Sequence, residues 1–282
     1  MSDGFADLIV ADSESNADLR YATGLAIPDP FIYIGWAGHR LAVVSDLEFD
    51  RARMEAAAGV TVVRQNDFGP PGTDIATLVD ALREHYALPG FRVPYGFPLG
   101  LATKLSAARI PVRIAPKMLF PARQLKNESE IAELRRAMRV TELAMARALE
   151  LLRQCAIAAD GKLRLDGADF TSEQLRGEID ATLALHGASG VGTIAASGLQ
   201  SACPHRRGTG AIVAGTPIVI DIFPGLGDSG YHGDLTRTVV KGRAPEIVRR
   251  AFDAVRTVRD ECRGMIKAGI AGAPMAAKAA AA

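Results

Sequence analysis

Two aspartates, Asp221 and Asp234, stand where apolar β-type runs end or begin, in the stretch VIDIFPGLGDSGYHGDLTRTVVKG. Strands usually avoid aspartate, because this short acidic side chain packs poorly on a pleated surface and is costly to bury unpaired. The twelve residues between them are rich in Gly and Pro and predict the loop of an antiparallel pair. Two carboxylates meeting across neighbouring strands suit a hard divalent cation. The alternative interpretation is that Asp221 caps a strand end in solvent and Asp234 opens a turn.

Three further residues near this stretch could take part in chemistry. His205, in CPHRRGTG, precedes Asp221 by sixteen residues and supports a metal or substrate site, although a lone histidine is more often structural. Cys203 is a poor candidate for a nucleophile, since no helix N-terminus or second base in the sequence would activate it. His232, two residues before Asp234, is a ligand candidate by proximity, and a solvated loop histidine is the simpler interpretation.

Composition excludes several classes of protein. The 282 residues carry 33 basic and 32 acidic side chains, and the basic ones form no stripe, so nucleic acid is not an expected partner. No run approaches the roughly 20 apolar residues of a membrane span, and the N-terminus does not resemble a signal peptide. The three cysteines are widely spaced, which favours neither a disulfide framework nor a zinc knuckle. A reducing cytoplasm is therefore the expected location.

The chain changes character near residue 122. Before it, the β-like runs FIYI, LAVVS, VTVVR and FRVP alternate with helical patterns such as TDIATLVDALREHYAL, which is typical of an α/β domain. After it, a long charged helix begins, and a second helix follows at TSEQLRGEIDATLALHG, where Thr171 and Gln174 have capping-box spacing. A third helix after Pro245 has an apolar stripe that predicts a buried face: Val248, Phe252, Val255, Val258, Cys262 and Met265.

The motifs PHRRGTG and PIVIDIFPGLGDSGYHGDLTRTVVKG resemble the aminopeptidase P, prolidase and creatinase family, whose catalytic domain has the pita-bread fold. The helix KNESEIAELRRAMRVTELAM and the segment DLRYATGLAIPDPFIYI extend the resemblance over nearly the whole chain. It implies an α/β N-terminal domain over residues 1–122, followed by the first part of an α+β pita-bread catalytic domain over residues 123–282. It also implies that Asp221 and Asp234 are the first two ligands of a dinuclear metal centre. His205 then matches the family's histidine that contacts substrate or stabilises the tetrahedral intermediate.

The sequence departs from the family pattern in two respects. The loop between the aspartates is slightly longer than in typical aminopeptidase P sequences. The family supplies three more ligands downstream, one His and two Glu, whereas here no His follows His232 and the later acidic residues all lie on the third helix. We therefore expect a chain truncated at its C-terminus, with weakly held metal and impaired catalysis. An apolar face and a strand edge would then be exposed, and a second subunit of a homodimer would cover them.

The implied function is that of a metal-dependent aminopeptidase of the Xaa-Pro aminopeptidase or prolidase type. Such an enzyme hydrolyses the N-terminal bond of a peptide substrate with water activated by two divalent metal ions. The family's four carboxylates and one His favour manganese over cobalt or zinc. Two alternatives stay open: a non-catalytic pita-bread protein that binds a peptide or protein partner, and a metal-free creatinase-like hydrolase. The aspartate pair disfavours the second, because close anions repel without a cation between them.

Overall fold

The computed structural model describes residues 4–281 and divides the chain into two compact units. These units are Met1–Asn127 and Glu128–Ala282, whereas the boundary expected from the sequence lies between residues 122 and 123. Two hydrophobic clusters form the core of the N-terminal unit, and a third forms the core of the C-terminal unit. Each unit therefore has the interior of a separate domain. Among the described residues, no helix combines the length and the apolar character needed to cross a membrane.

The N-terminal unit is a mixed six-stranded sheet with helices on both faces. Its elements are β1 (Ala6–Ala11), α1 (Ala17–Thr23), β2 (Phe31–Trp36), β3 (His39–Val44), α2 (Asp46–Glu55), β4 (Val60–Arg64), α3 (Ile75–His85), β5 (Phe91–Val93), α4 (Leu99–Ala107) and β6 (Val112–Ile114). The strand order is β4-β3-β2-β1-β5-β6; β1 and β3 pair antiparallel with β2, and the other three pairs are parallel. The predicted α/β class and the four predicted strands are confirmed as β2 to β5.

Successive side chains of the central strands point to opposite faces of this sheet, and helices cover both faces. In β2, Ile32 and Ile34 pack with α3 and α4, whereas Tyr33 packs with α1 and α2. All three side chains are at most 2% exposed. The N-cap of α3 is Asp74, whose carboxylate accepts the Ala76 amide hydrogen at 3.0 Å.

The C-terminal unit packs two long helices against small antiparallel sheets. Its elements are α5 (Glu128–Gln154), β7 (Ala156–Ile157), β8 (Leu163–Leu165), β9 (Ala168–Asp169), α6 (Ser172–Leu185), β10 (Ala188–Ser189), β11 (Ile194–Ser197), β12 (Ile218–Ile222), β13 (Gly225–Leu226), β14 (Leu235–Val239), α7 (Glu246–Met265) and α8 (Gly272–Ala280). The sheet that carries the candidate site has the order β11-β12-β14. The predicted capping box of α6 is present, because the side chains of Thr171 and Gln174 each accept the other's backbone amide hydrogen.

The buried stripe predicted for the third helix is wrong. No residue of α7 is buried, and Phe252 and Val255 are 54% and 69% exposed. The apolar periodicity shows which face of the helix would be buried, but burial also needs a partner surface. α7 contacts α8, and Cys262 Sγ of α7 lies 3.9 Å from the Met275 carbonyl oxygen of α8.

Candidate metal centre

Asp221 lies on β12, the central strand of its sheet, and points away from the core. The residues on either side, Ile220 and Ile222, are fully buried against the α5 and α6 cluster, whereas Asp221 is half-buried. This follows from the alternation of side chains along a strand. Thr236 lies directly opposite on β14 and donates its hydroxyl hydrogen to Asp221 Oδ1 at 2.6 Å. The neighbouring strand therefore orients one oxygen of this carboxylate.

β12 and β14 belong to one long hairpin. Its first arm runs from β12 to Leu226, and its second arm runs from Tyr231 to the end of β14. The register that pairs Asp221 with Thr236 continues outward, since Gly233 N donates to the Pro224 carbonyl at 3.1 Å and Leu226 N donates to the Tyr231 carbonyl at 2.9 Å. Only residues 227–230 remain as the turn at the tip. The predicted antiparallel pairing is thus confirmed, but most of the expected loop is paired strand. Gly227 and Gly230 mark the turn, whereas Pro224 lies in the paired arm, so composition does not show how far the pairing extends.

Asp234 immediately precedes β14 and is exposed. In the hairpin register it lies opposite Phe223 and two residues before Thr236, so it shares the face of the sheet that Asp221 occupies. Diagonal neighbours on antiparallel strands lie about 7–8 Å apart, a separation that two carboxylates can span through bound cations. The structure therefore brings the two predicted residues to one face. Their role as metal ligands stays a prediction.

His205 lies in an exposed loop beside β11, on the side away from β12. The Arg207 carbonyl accepts the Ala195 amide hydrogen at 3.0 Å, which joins the loop to β11, and β11 in turn separates the loop from Asp221. His205 itself precedes this contact by two residues. The backbone φ of His205 is +62°, a left-handed conformation that residues other than glycine rarely adopt. Its contact with substrate stays a prediction.

The other two candidates differ in where they lie. His232 shares the face of Asp234, two residues along the same arm, and its ring covers Gly225 on the opposite arm. Cys203 is an exposed free thiol in the His205 loop. No group of three or more His, Cys, Asp or Glu side chains between residues 4 and 281 is arranged to hold a metal ion.

The donor chemistry of the aspartate pair fits a hard divalent cation, because both ligands are carboxylates on one open face. Two carboxylates supply only part of a coordination sphere of six or more oxygens, so water would fill the rest. Thr236 was missed as a member of this group. The sequence could have indicated Thr236, because it follows Asp234 by two residues, and residues two apart on a strand share one face.

Comparison with known proteins decides the family. Residues 132–282, more than half of the chain, match metallopeptidase family M24. The chain belongs to family M24. This match includes most of α5, the whole hairpin and both aspartates, so the predicted relationship and the metallopeptidase class are confirmed.

Individual M24 relatives agree in fold over nearly the whole chain. The X-Pro aminopeptidase of Thermotoga maritima superposes with a TM-score of 0.77 at 21% identity, covering 98% of this chain and 73% of that one. The prolidase of Pyrococcus horikoshii superposes with a TM-score of 0.78 at 20% identity, covering 98% and 72%. An uncharacterized peptidase of Bacillus subtilis, YqhT, is 24% identical over 270 residues, which are 92% of this chain and 68% of the relative. The chain thus has the fold of these structures and spans about 70% of their length.

Proposed function

We propose that this M24 chain takes part in metal-dependent aminopeptidase chemistry of the Xaa-Pro aminopeptidase or prolidase type. The observation that carries the proposal is the placement of Asp221 and Asp234 on one open face of a hairpin inside the M24 match. The names of the Thermotoga and Pyrococcus structures support the substrate class, an N-terminal peptide bond next to proline.

The proposed roles of the residues follow from their positions. A bound divalent cation lowers the pKa of water and polarises a carbonyl group. Asp221 and Asp234 would hold two such ions, with manganese favoured over cobalt or zinc because the ligands are carboxylates. The Thr236 hydroxyl would keep one Asp221 oxygen oriented and leave the other for the metal. The role of His205 comes from its match to the family's histidine and not from its position: it would donate a hydrogen bond to the carbonyl oxygen of the peptide substrate.

We further propose that metal binding and turnover by the 282-residue chain are weak. Residues 4–281 bring no third His, Cys, Asp or Glu side chain to the pair, so bound ions would keep most of their water. The same observation supports the alternative function, a non-catalytic M24 protein that binds a peptide or protein partner. The three free cysteines support a reducing, cytoplasmic location. A homodimer that covers the exposed side of α7 is the proposed assembly.

Calorimetry with manganese tests the proposal directly. The parent chain and the Asp221→Asn, Asp234→Asn double variant, which keeps the shapes of both side chains, are titrated with Mn²⁺ after circular dichroism shows that both are folded. We expect binding by the parent that the variant loses, and slow cleavage of an Xaa-Pro peptide by the parent alone. Equal Mn²⁺ binding by both proteins would contradict the assignment of the ligands. Binding without any cleavage would favour the non-catalytic alternative.

A further inference from the structure

The tip of the long hairpin is tied to α5 by one arginine. Arg136 Nη2 donates to Glu133 Oε2 on its own helix at 2.6 Å and to Asp228 Oδ1 in the turn at 2.6 Å. The same nitrogen lies 3.3 Å from Ser229 Oγ. One guanidinium group therefore joins a helix side chain to two consecutive residues of the turn.

The positive charge of Arg136 lies between the negative charges of Glu133 and Asp228. Hydrogen bonds from Arg136 lower the pKa of Glu133 and of Asp228, and the two carboxylates raise the pKa of Arg136. Glu133 and Asp228 would repel each other if the guanidinium did not lie between them. The tie therefore depends on the arginine rather than on the carboxylates alone.

Further contacts with α5 follow the second arm of the hairpin from the tip towards Asp234. The Tyr231 hydroxyl is 3.0 Å from Glu130 Oε1. A Cβ on Gly233 would clash with Thr141 Oγ1 and would lie 2.8 Å from the Ala137 carbonyl oxygen, so this glycine packs directly on the helix. Next to it, the Asp234 amide contacts Met138 Sδ at 3.5 Å. The arm that carries Asp234 thus lies along α5.

This arrangement matters because the outer hairpin is a narrow ribbon. The ladder with β11 ends at Asp221, and farther out the first arm pairs with the two residues of β10. Narrow ribbons are marginally stable alone and twist strongly. Asp234 lies in this outer part, whereas Asp221 lies in the three-stranded ladder. Movement of the second arm would therefore change the separation of the two carboxylates.

We propose that Arg136 is a positioning residue that sets the separation of Asp221 and Asp234 by holding the hairpin tip on α5. This inference rests on the proposed function, since the separation matters only if the pair binds metal. Arg136 itself does not contact either aspartate.

The competing explanation is an ordinary surface ion pair, which contributes little to stability. The chain offers a matched control on the same helix. Arg147 Nη2 donates to Glu178 Oε2 on α6 at 2.6 Å, the same length as the Arg136–Asp228 contact, with similar exposure of the arginine. Arg147→Met therefore removes an ion pair of the same length from α5 without touching the hairpin.

The test compares Arg136→Met with Arg147→Met by two measurements. The first is hydrogen exchange of the Leu226, Gly230 and Gly233 amides, which donate within the hairpin. The second is Mn²⁺ affinity by calorimetry. We expect Arg136→Met to speed exchange at these amides about five-fold and to weaken Mn²⁺ binding about ten-fold. Arg147→Met should leave both within two-fold of the parent, and Arg136→Lys should recover part of each loss.

Failure of this inference is distinguishable from failure of the proposed function. If the parent binds Mn²⁺ and Arg136→Met binds it equally well, the positioning role is wrong and the function stands. If the parent binds no Mn²⁺, the function is wrong, and exchange of the hairpin amides alone then decides whether Arg136 holds the tip. Equal exchange in the two methionine variants overturns the inference in either case.

Discussion

The sheets of the two units differ in how their faces are covered. In the N-terminal sheet, helices cover both faces, and neighbouring residues such as Tyr33 and Ile34 are both buried. In the C-terminal sheet, α5 and α6 cover one face, while Asp221, Thr236 and Asp234 lie on the other. A carboxylate can stand on a strand only where one face keeps access to water or to a cation. The comparison teaches that the candidate site depends on a face left uncovered by hydrophobic packing.

The largest expected effect comes from placing a carboxylate on each kind of face. Ile34→Asp would bury an unpaired charge between β2 and the α3/α4 layer, and should cost about 4 kcal/mol or more of unfolding free energy. Thr238→Asp, on the open face of β14, should change it by less than about 1 kcal/mol. Urea unfolding followed by circular dichroism measures both. Similar losses in the two variants would show that the faces do not differ as described.

A smaller effect is expected where the hairpin meets α5. Gly233→Ala would drive a methyl group against Thr141 Oγ1 and the Ala137 carbonyl, so the arm must shift, at a cost of about 1–3 kcal/mol. The control is Gly227→Ala at the tip, where the nearest atom, the Gly187 carbonyl oxygen, would lie 3.4 Å from the new Cβ. Urea midpoints of the two variants should differ clearly. A Gly233→Ala protein as stable as the Gly227→Ala protein would mean that the arm does not pack closely on α5.

The smallest effect concerns acid stability. Because a hydrogen bond from Arg136 lowers the pKa of Asp228 below its ordinary value of 3.8, this group stabilises the fold at higher pH and loses that contribution as pH falls below this value. At most about 1 kcal/mol is at stake, since the pair is exposed to solvent. Urea unfolding of the parent between pH 6 and pH 3 should therefore lose stability more steeply than that of Arg136→Met. Parallel curves would contradict the pairing of Asp228 with Arg136.

Much of the local structure was predictable, because its causes are local. The capping box of Thr171 with Gln174, the N-cap at Asp74 and the strands β2 to β5 each depend on residues close together in sequence. The antiparallel pairing of the segments that carry Asp221 and Asp234 was also predictable, since turn residues lie between two apolar runs. The exposure of α7 was not, because its periodicity contains no information about the surface against which it would pack.

The sequence by itself determined which residues could do chemistry: two strand aspartates, a histidine in a Gly-rich segment and a motif typical of one metallopeptidase family. The tertiary structure decided where these residues lie relative to one another. It set the register that places Asp221, Asp234 and Thr236 on one face, joined the loop that contains His205 to the outer side of β11 at Arg207, and brought Arg136 to a turn 92 residues away in the chain. The physical reason is that register and helix packing are fixed by contacts between distant segments, and no local pattern specifies which of those contacts form.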